Sequence, residues 1–392
     1  MKVVIAMDSF KGSLTSMEAG MAAAEGIYRV DKKADVAVRP LADGGEGTVE
    51  ALVSGMGGKK ERVRVTGPLG RAVDCEYGMI GETGTAVIEM AAAAGLMLVP
   101  DKMRNPMHTT TYGLGEIIKD ALEKGCRRFL VGIGGSATND GGTGMLQALG
   151  FGLLDENGRQ IPFGARGLEK LASIDDGSVL SGLAECRFRI ACDVTNGLCG
   201  PRGCSAVYGP QKGADEDMVC RMDAWMEKYA LLAEKKYEKA DPQRAGAGAA
   251  GGLGFAFGTF LNGTLEPGAD IVLEETGLED YLKDADLVIT GEGRIDGQTA
   301  MGKAPLAVAG LAKKWSRPVA ALAGSVTEGA WKCNEKGIDA FFPILPDVMT
   351  LEEAMEPARA KAHLAGTAEQ VYRLWTCNAY FSKPCTQSAF RK

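Results

Sequence analysis

Short apolar runs rich in Val, Ile and Ala recur along the chain at residues 3–6, 35–38, 128–133, 188–192, 286–290 and 318–322. They close on small or polar residues such as Gly, Asp and Thr, and amphipathic stretches separate them, which is the rhythm of a parallel α/β sheet. Residues 61–90 break the rhythm. Apolar and polar positions alternate there around Gly67-Pro68-Leu69-Gly70, the two-residue period of antiparallel hairpins, so a different sheet begins. Helical periodicity predicts 16–28, 113–124, 143–149, 215–236 and 351–374, with Asp215 as the clearest start signal. Met218, Met222 and Met226 fall at helical spacing and read as core packing. The small residues of 237–252 predict a loop, or a place where backbone closes on a ligand.

Ligands of parallel sheets collect beyond the carboxyl ends of the strands. Five Gly-rich polar segments follow predicted strands: 8–13 (DSFKGS), 41–48 (LADGGEGT), 132–144 (GIGGSATNDGGTG), 193–203 (DVTNGLCGPRG) and 290–304 (TGEGRIDGQTAMGKA). Five such loops suggest one cleft assembled from many of them. Segment 132–144 can wrap a phosphate with successive backbone N–H groups, or can be a tight connection without a ligand. Gly132, Gly134 and Ala137 also fit a dinucleotide fingerprint with Asp155 as ribose partner. Residues 138–142, however, stay irregular where a Rossmann helix would have begun, and Asp155 reads as the end of a hairpin.

Residues 297–304 have P-loop spacing, but Ala304 stands where a hydroxyl should meet Mg²⁺, and 291–296 separate the motif from its strand. Lys303 can still pair with an anion, or be a solvated surface lysine. Asp193 ends its strand and is placed either to take a proton from a hydroxyl or to cap the following turn. Asp8, Asp43, Glu46, Glu292 and Asp296 present the same choice. That many carboxylates beside Lys11, Arg294 and Lys303 suit Mg²⁺ and phosphates better than hydride transfer. His108 and His363 are the only histidines and have no nucleophile motif beside them, so both read as structural.

Composition narrows the partners. With 392 residues, 44 Lys and Arg against 51 Asp and Glu, and a net charge of −7, the chain has the wrong sign for neutralising a nucleic-acid backbone. The 54 glycines, roughly twice average usage, come with only 15 prolines and no collagen period. Ten cysteines without a C-x-x-C pair read as reduced thiols of a cytoplasmic protein, Cys199 and Cys204 being the closest to a metal pair. No apolar stretch approaches the ~18 residues of a membrane span.

Taken together, MDSFKGSL, PLADGGEGT, IEMAAAAGL, TTTYGLGEII, VGIGGSATNDGGTGMLQALG, ACDVTNGLCGPRGCSAVYGPQKGA and LVITGEGRIDGQTAMGKAP resemble the type-1 glycerate kinase family, in order over roughly residues 1–372. The resemblance implies ATP-dependent, Mg²⁺-assisted phosphorylation of D-glycerate to 2-phosphoglycerate. It also implies an α/β fold of two domains with the active site in the cleft: a flavodoxin-like parallel sheet with helices, from 1–62 and 282–375, and an inserted mixed α/β domain, 63–281. Carried over by motif, the expected catalytic residues are Asp193 and Lys303, and the substrate contacts Asp8, Ser9, Lys11, Asn196 and Arg294. The nucleotide contacts are Gly134, Gly135, Ser136, Ala137, Thr138, Asn139 and Asp140, and the metal ligands Asp43, Glu46, Glu292 and Asp296. A homo-oligomer is compatible with all of this; nucleic-acid and membrane partners are not expected. Residues 376–392 form an atypical tail that fits no helix period, where the family would finish in a short helix. Two other readings compete: an NAD-dependent oxidoreductase of a small hydroxy acid, and a sugar-acid binding protein without catalysis.

Overall fold

The structure, a computed structural model, describes residues 1–381 except Asp43 and Glu46. In chain order its strands are β1 (Lys2–Met7), β2 (Asp35–Pro40), β3 (Lys59–Thr66), β4 (Ala72–Ile80), β5 (Thr85–Glu89), β6 (Arg128–Gly132), β7 (Gly152–Leu154), β8 (Ser173–Asp175), β9 (Arg187–Ala191), β10 (Thr264–Glu266), β11 (Leu287–Ile295), β12 (Val319–Val326) and β13 (Ala340–Pro343). Two units share them. One combines Met1–Leu41 with the chain from Thr276 onward, and the other is the continuous segment Ala42–Glu275.

The first unit holds a five-stranded sheet in the order β13-β12-β11-β1-β2, with every pair parallel. Read outward from β2 this is the 2-1-3-4-5 order of flavodoxin-like sheets, and its switch point lies between β1 and β11. Val3, Ile5, Met7, Leu287, Ile289 and Leu322 point alternately into one core under the helices Ser16–Val30 and Pro357–Phe381. Thr15 starts the first of those helices with a reciprocal capping box to Glu18.

The second unit is built on a six-stranded mixed sheet, β10-β9-β6-β5-β4-β3. Strands β10, β9, β6 and β5 are parallel, while β4 and β3 run antiparallel as the alternation over 61–90 predicts. Phe129 and Phe188 face each other in register on β6 and β9, with ring centroids 4.7 Å apart. The helix Glu216–Glu234, capped by Asp215, buries Met222 and Met226.

Several expectations change. The unit boundaries fall after residue 41 and before residue 276 rather than at 62 and 282, because the helix Thr48–Met56 packs its Val49 and Leu52 with Val87 and Leu130 of the second unit. Strand β11 runs on to Ile295, so Glu292 and Arg294 are strand residues and 291–295 do not separate the 297–304 motif from its strand. Helix 351–374 is divided, because Pro357 forces the preceding Glu356 into an extended conformation between Leu351–Met355 and Pro357–Phe381. The second of these helices carries residues 376–381 of the tail in regular form; residues 382–392 lie outside the described residues.

Candidate active site

In the first unit the polar residues gather where the sheet opens. Asp8 follows β1 directly and is buried, its Oδ1 accepting from the backbone N–H of Ser9 at 2.7 Å. Ser9 Oγ is enclosed and has no hydrogen-bond partner among the described residues. Next door on β11, Glu292 is also buried; its Oε1 accepts from Thr299 Oγ at 2.6 Å and its Oε2 lies 3.9 Å from Lys303 Nζ. Burial pushes the Glu292 carboxyl above its ordinary range, against the Thr299 hydrogen bond and the charges of Lys303 and Lys11. Asp296 folds the following turn by accepting from the N–H groups of Gln298 and Thr299. The turn ends at Lys303, the residue preceding the helix Ala304–Lys314. Asp8, Ser9, Lys11, Glu292, Asp296 and Lys303 thus meet at the switch point, the position where such sheets bind ligands. Arg294, on the same strand, is exposed.

In the second unit the carboxyl ends of β5, β6 and β9 are neighbours. After β6 the chain turns through Gly135 at φ +75°, and the N–H groups of Gly134, Gly135 and Ser136 have no acceptor among the described residues. Three successive donors in such a turn make an anion-binding concavity. Gly134 and Gly135 are exposed, while Ser136 is buried behind them. Gly44 and Gly45 come alongside: a Cβ on Gly132 would lie 2.2 Å from Gly44 O, so that approach requires glycine.

Ala137, Thr138, Asn139 and Asp140 are buried under this turn. Asp140 accepts from Thr111 N–H and Oγ and from the N–H groups of Gly142 and Gly144, and so clamps the loop from below. Asn139 Nδ2 donates to Ser205 Oγ at 2.9 Å. These four residues and Ser136 shape the loop, leaving Gly134 and Gly135 as its accessible surface. The small-residue stretch 237–252, expected as a loop or as a place where backbone closes on a ligand, has its end against the protein's own loop, since Gly141 N–H donates to Gly251 O and a Cβ on Gly251 would sit 2.1 Å from Thr138 O.

Asp193, exposed just beyond β9, accepts at Oδ1 from the N–H of Gly268, the first residue of the helix Gly268–Glu275. Asn196 is engaged at both ends, donating to Arg202 O and accepting from Tyr208 Oη, so it braces its own loop. Asp43 and Glu46, read as metal ligands, lie outside the described residues. Asp155 holds a turn by accepting from the N–H groups of Asn157 and Arg159, and the helix after β6 begins only at Thr143; both features oppose a dinucleotide fold.

Two residues escaped the sequence reading. Thr299 links Glu292 to the Asp296 turn, and Lys212 lies fully buried beneath Ser136. A lysine between glycines in GPQKGA carries no local sign of burial; only the packed loop reveals it.

A parallel sheet with lysines beside buried carboxylates, and a second sheet with an open row of N–H donors, define an enzyme that handles anionic groups. The chain matches the glycerate kinase family over residues 3–376 and belongs to that family, phosphotransferases with an alcohol acceptor. It is 50% identical to the glycerate kinase of Bacillus subtilis strain 168, over 91% of this chain and 94% of that one. Against the glycerate 2-kinase of Escherichia coli K12 the identity is 46%, covering 94% and 98%. A crystal structure assigned as glycerate kinase 2 from Salmonella typhimurium LT2 superposes with a TM-score of 0.89 at 46% identity, covering 97% of this chain and 99% of that one.

Proposed function

We propose that this protein transfers the γ-phosphoryl group of ATP to the 2-hydroxyl of D-glycerate, giving 2-phosphoglycerate. The observation that carries the reading is the row of N–H donors at Gly134–Ser136, which suits a phosphate or carboxylate group. The near full-length similarity to relatives named glycerate kinase supplies the acceptor, and the Escherichia coli relative's name supplies the position of transfer.

Phosphoryl transfer asks the protein mainly for positioning and charge neutralisation. Lys303 is the cation assigned to the transferring group, with Lys11 and Arg294 as further anion contacts. Asp193 is assigned as the base that takes the hydroxyl proton, while Asp8, Ser9 and Asn196 order the acceptor. Mg²⁺ usually takes one or two protein carboxylates together with substrate phosphates. Glu292 and Asp296 fit that demand, with Asp43 and Glu46 as the other assigned ligands; among the described residues no group of three or more His, Cys, Asp or Glu is poised as a complete cage. Bound there, the ion would neutralise phosphate charge.

The test is ADP release measured with ATP, Mg²⁺ and a panel of small hydroxy acids, followed by ³¹P NMR of the product. Stimulation by D-glycerate with a 2-phosphoglycerate signal is expected. Release that ignores D-glycerate overturns the acceptor, and a 3-phosphoglycerate signal overturns the position.

A further inference from the structure

A buried lysine is rare unless its charge is compensated. Lys212 sits at 1% exposure, held by the turn Pro210–Lys212, and its Nζ donates to Ser136 Oγ at 2.8 Å and to Thr138 O at 2.6 Å. No described carboxylate forms an ion pair with it; Asp140 and Cys204 are the titratable groups whose charges reach it. Burial pulls its pKa down to about 8. The fold therefore holds a costly cation directly behind a row of unpartnered N–H donors.

We propose that Lys212 is a positioning residue for the Gly134–Ser136 loop, which it charges from behind so that the loop binds an anionic oxygen group. Ser136 Oγ accepts from the ammonium, which leaves its own proton free to serve as a further donor beside the N–H groups of Gly134, Gly135 and Ser136. The second contact, to Thr138 O, fixes the end of the turn nearer the helix that begins at Thr143. This inference rests on the kinase reading for the identity of the anion, which is either a nucleotide phosphate or the glycerate carboxylate.

Removing the charge separates this role from simple packing. Met fills a similar volume without the charge, and leaves Ser136 Oγ and Thr138 O without their donor. In the full-length protein, Lys212→Met should stay folded at pH 7 with a melting temperature at or below that of wild type, yet increase KM about tenfold or more for ATP or for D-glycerate, leaving the other within about twofold. Whichever substrate responds is the anion at the loop. In the wild-type protein that same KM should climb as pH passes from 7 to 9.5, because the lysine loses its proton there. The Cys204 thiol, pushed up to about 11 by burial, stays neutral over that range; burial raises the Asp140 carboxyl, against the hydrogen bonds from Thr111, Gly142 and Gly144.

Lys212→Arg, which stays charged, should restore part of the affinity at pH 9.5. A folded Lys212→Met enzyme with both KM values unchanged overturns the proposal. So does a wild-type KM for both substrates that is flat from pH 7 to 9.5, a result that stands even if the Met variant fails to fold. If wild type phosphorylates no D-glycerate, the kinase reading falls; the lysine is then judged by inorganic phosphate, which should raise the melting temperature of wild type and not of Lys212→Met, equal stabilisation of both rejecting it.

Discussion

At the scale of single residues, Glu292 shows how a site stores electrostatic cost. Its carboxyl is raised by burial, so between its unfolded and folded pKa the native state binds the extra proton and stability falls as pH rises through that window. Glu292→Gln keeps an acceptor for Thr299 but cannot ionise. Its melting temperature should therefore exceed that of wild type at pH 7 and converge on it near pH 4, while turnover falls by roughly 10². A lower melting temperature at pH 7 would mean that the 3.9 Å pairing with Lys303 outweighs the burial. Lys303→Ala should cut turnover by a similar factor with little change in melting temperature, since a half-exposed ammonium at that distance adds little stability; near wild-type turnover would return it to the surface. For Asp193→Asn, the amide oxygen still accepts from Gly268, so the helix start survives. Turnover should drop by about 10² with a modest change in the KM for D-glycerate. If Asp8→Asn abolishes turnover and Asp193→Asn does not, the base is Asp8. That carboxylates and lysines gather beyond the strand ends was legible from the apolar runs before them, although such residues also fold turns, as Asp296 does. Their partners were not: whether Asp140 faces a ligand or clamps a loop depends on Thr111, Gly142 and Gly144, which only the folded chain brings to it.

At the scale of elements, periodicity found those strands and helices that have one wet face and one dry face. Asp35–Pro40, Ser16–Val30 and Glu216–Glu234 lie within a few residues of their expected bounds. It missed elements whose pattern is uniform. The helix Ala304–Lys314, which follows directly on what looked like a nucleotide loop, and the helix Ala249–Phe260, nearly all buried and broken by left-handed Ala250, Gly251 and Gly252, have no polar stripe to reveal them. The pairing of helices was equally invisible. Ser16–Val30 meets Pro357–Phe381 so closely that a Cβ on Gly26 would fall 2.1 Å from Ala365 O. Backbone cannot yield as a side-chain tip can, so Gly26→Ala must push the helices apart. The expected destabilisation is about 1–3 kcal/mol in denaturant titration, despite alanine's better helix propensity; a neutral or stabilising result would mean that the two helices slide freely.

At the scale of the whole molecule, the first unit needs both ends of the chain. Strand β1 hydrogen-bonds on one side to β2 and on the other to β11, nearly 300 positions away, and the residues at the switch point come from both arms. Parallel strands were legible from the apolar runs, because strands buried on both faces read as continuous hydrophobic segments, while the use of both chain ends in one sheet was implied by the family resemblance. The exact seam was not, since 42–62 contains a helix and an edge strand whose allegiance is decided by packing of Val49, Leu52 and Ala42 with Ile271 and Val272. That cluster ties the beginning of the second unit to its end, so the segment carries its own core and closes on itself. Residues 42–275 expressed alone should therefore unfold cooperatively, with a single transition by circular dichroism and by Trp225 fluorescence. Residues 1–41 alone should stay unfolded, because two strands and one helix cannot cover Val3, Ile5 and Met7 without β11. The isolated 42–275 segment also retains the Gly134–Ser136 loop with Asp140 and Lys212 beneath it, so it should keep a phosphate-dependent thermal shift. A segment that unfolds without a cooperative transition would show that its core depends on the flanking arms, and the boundary after residue 41 would then not mark an independent folding unit.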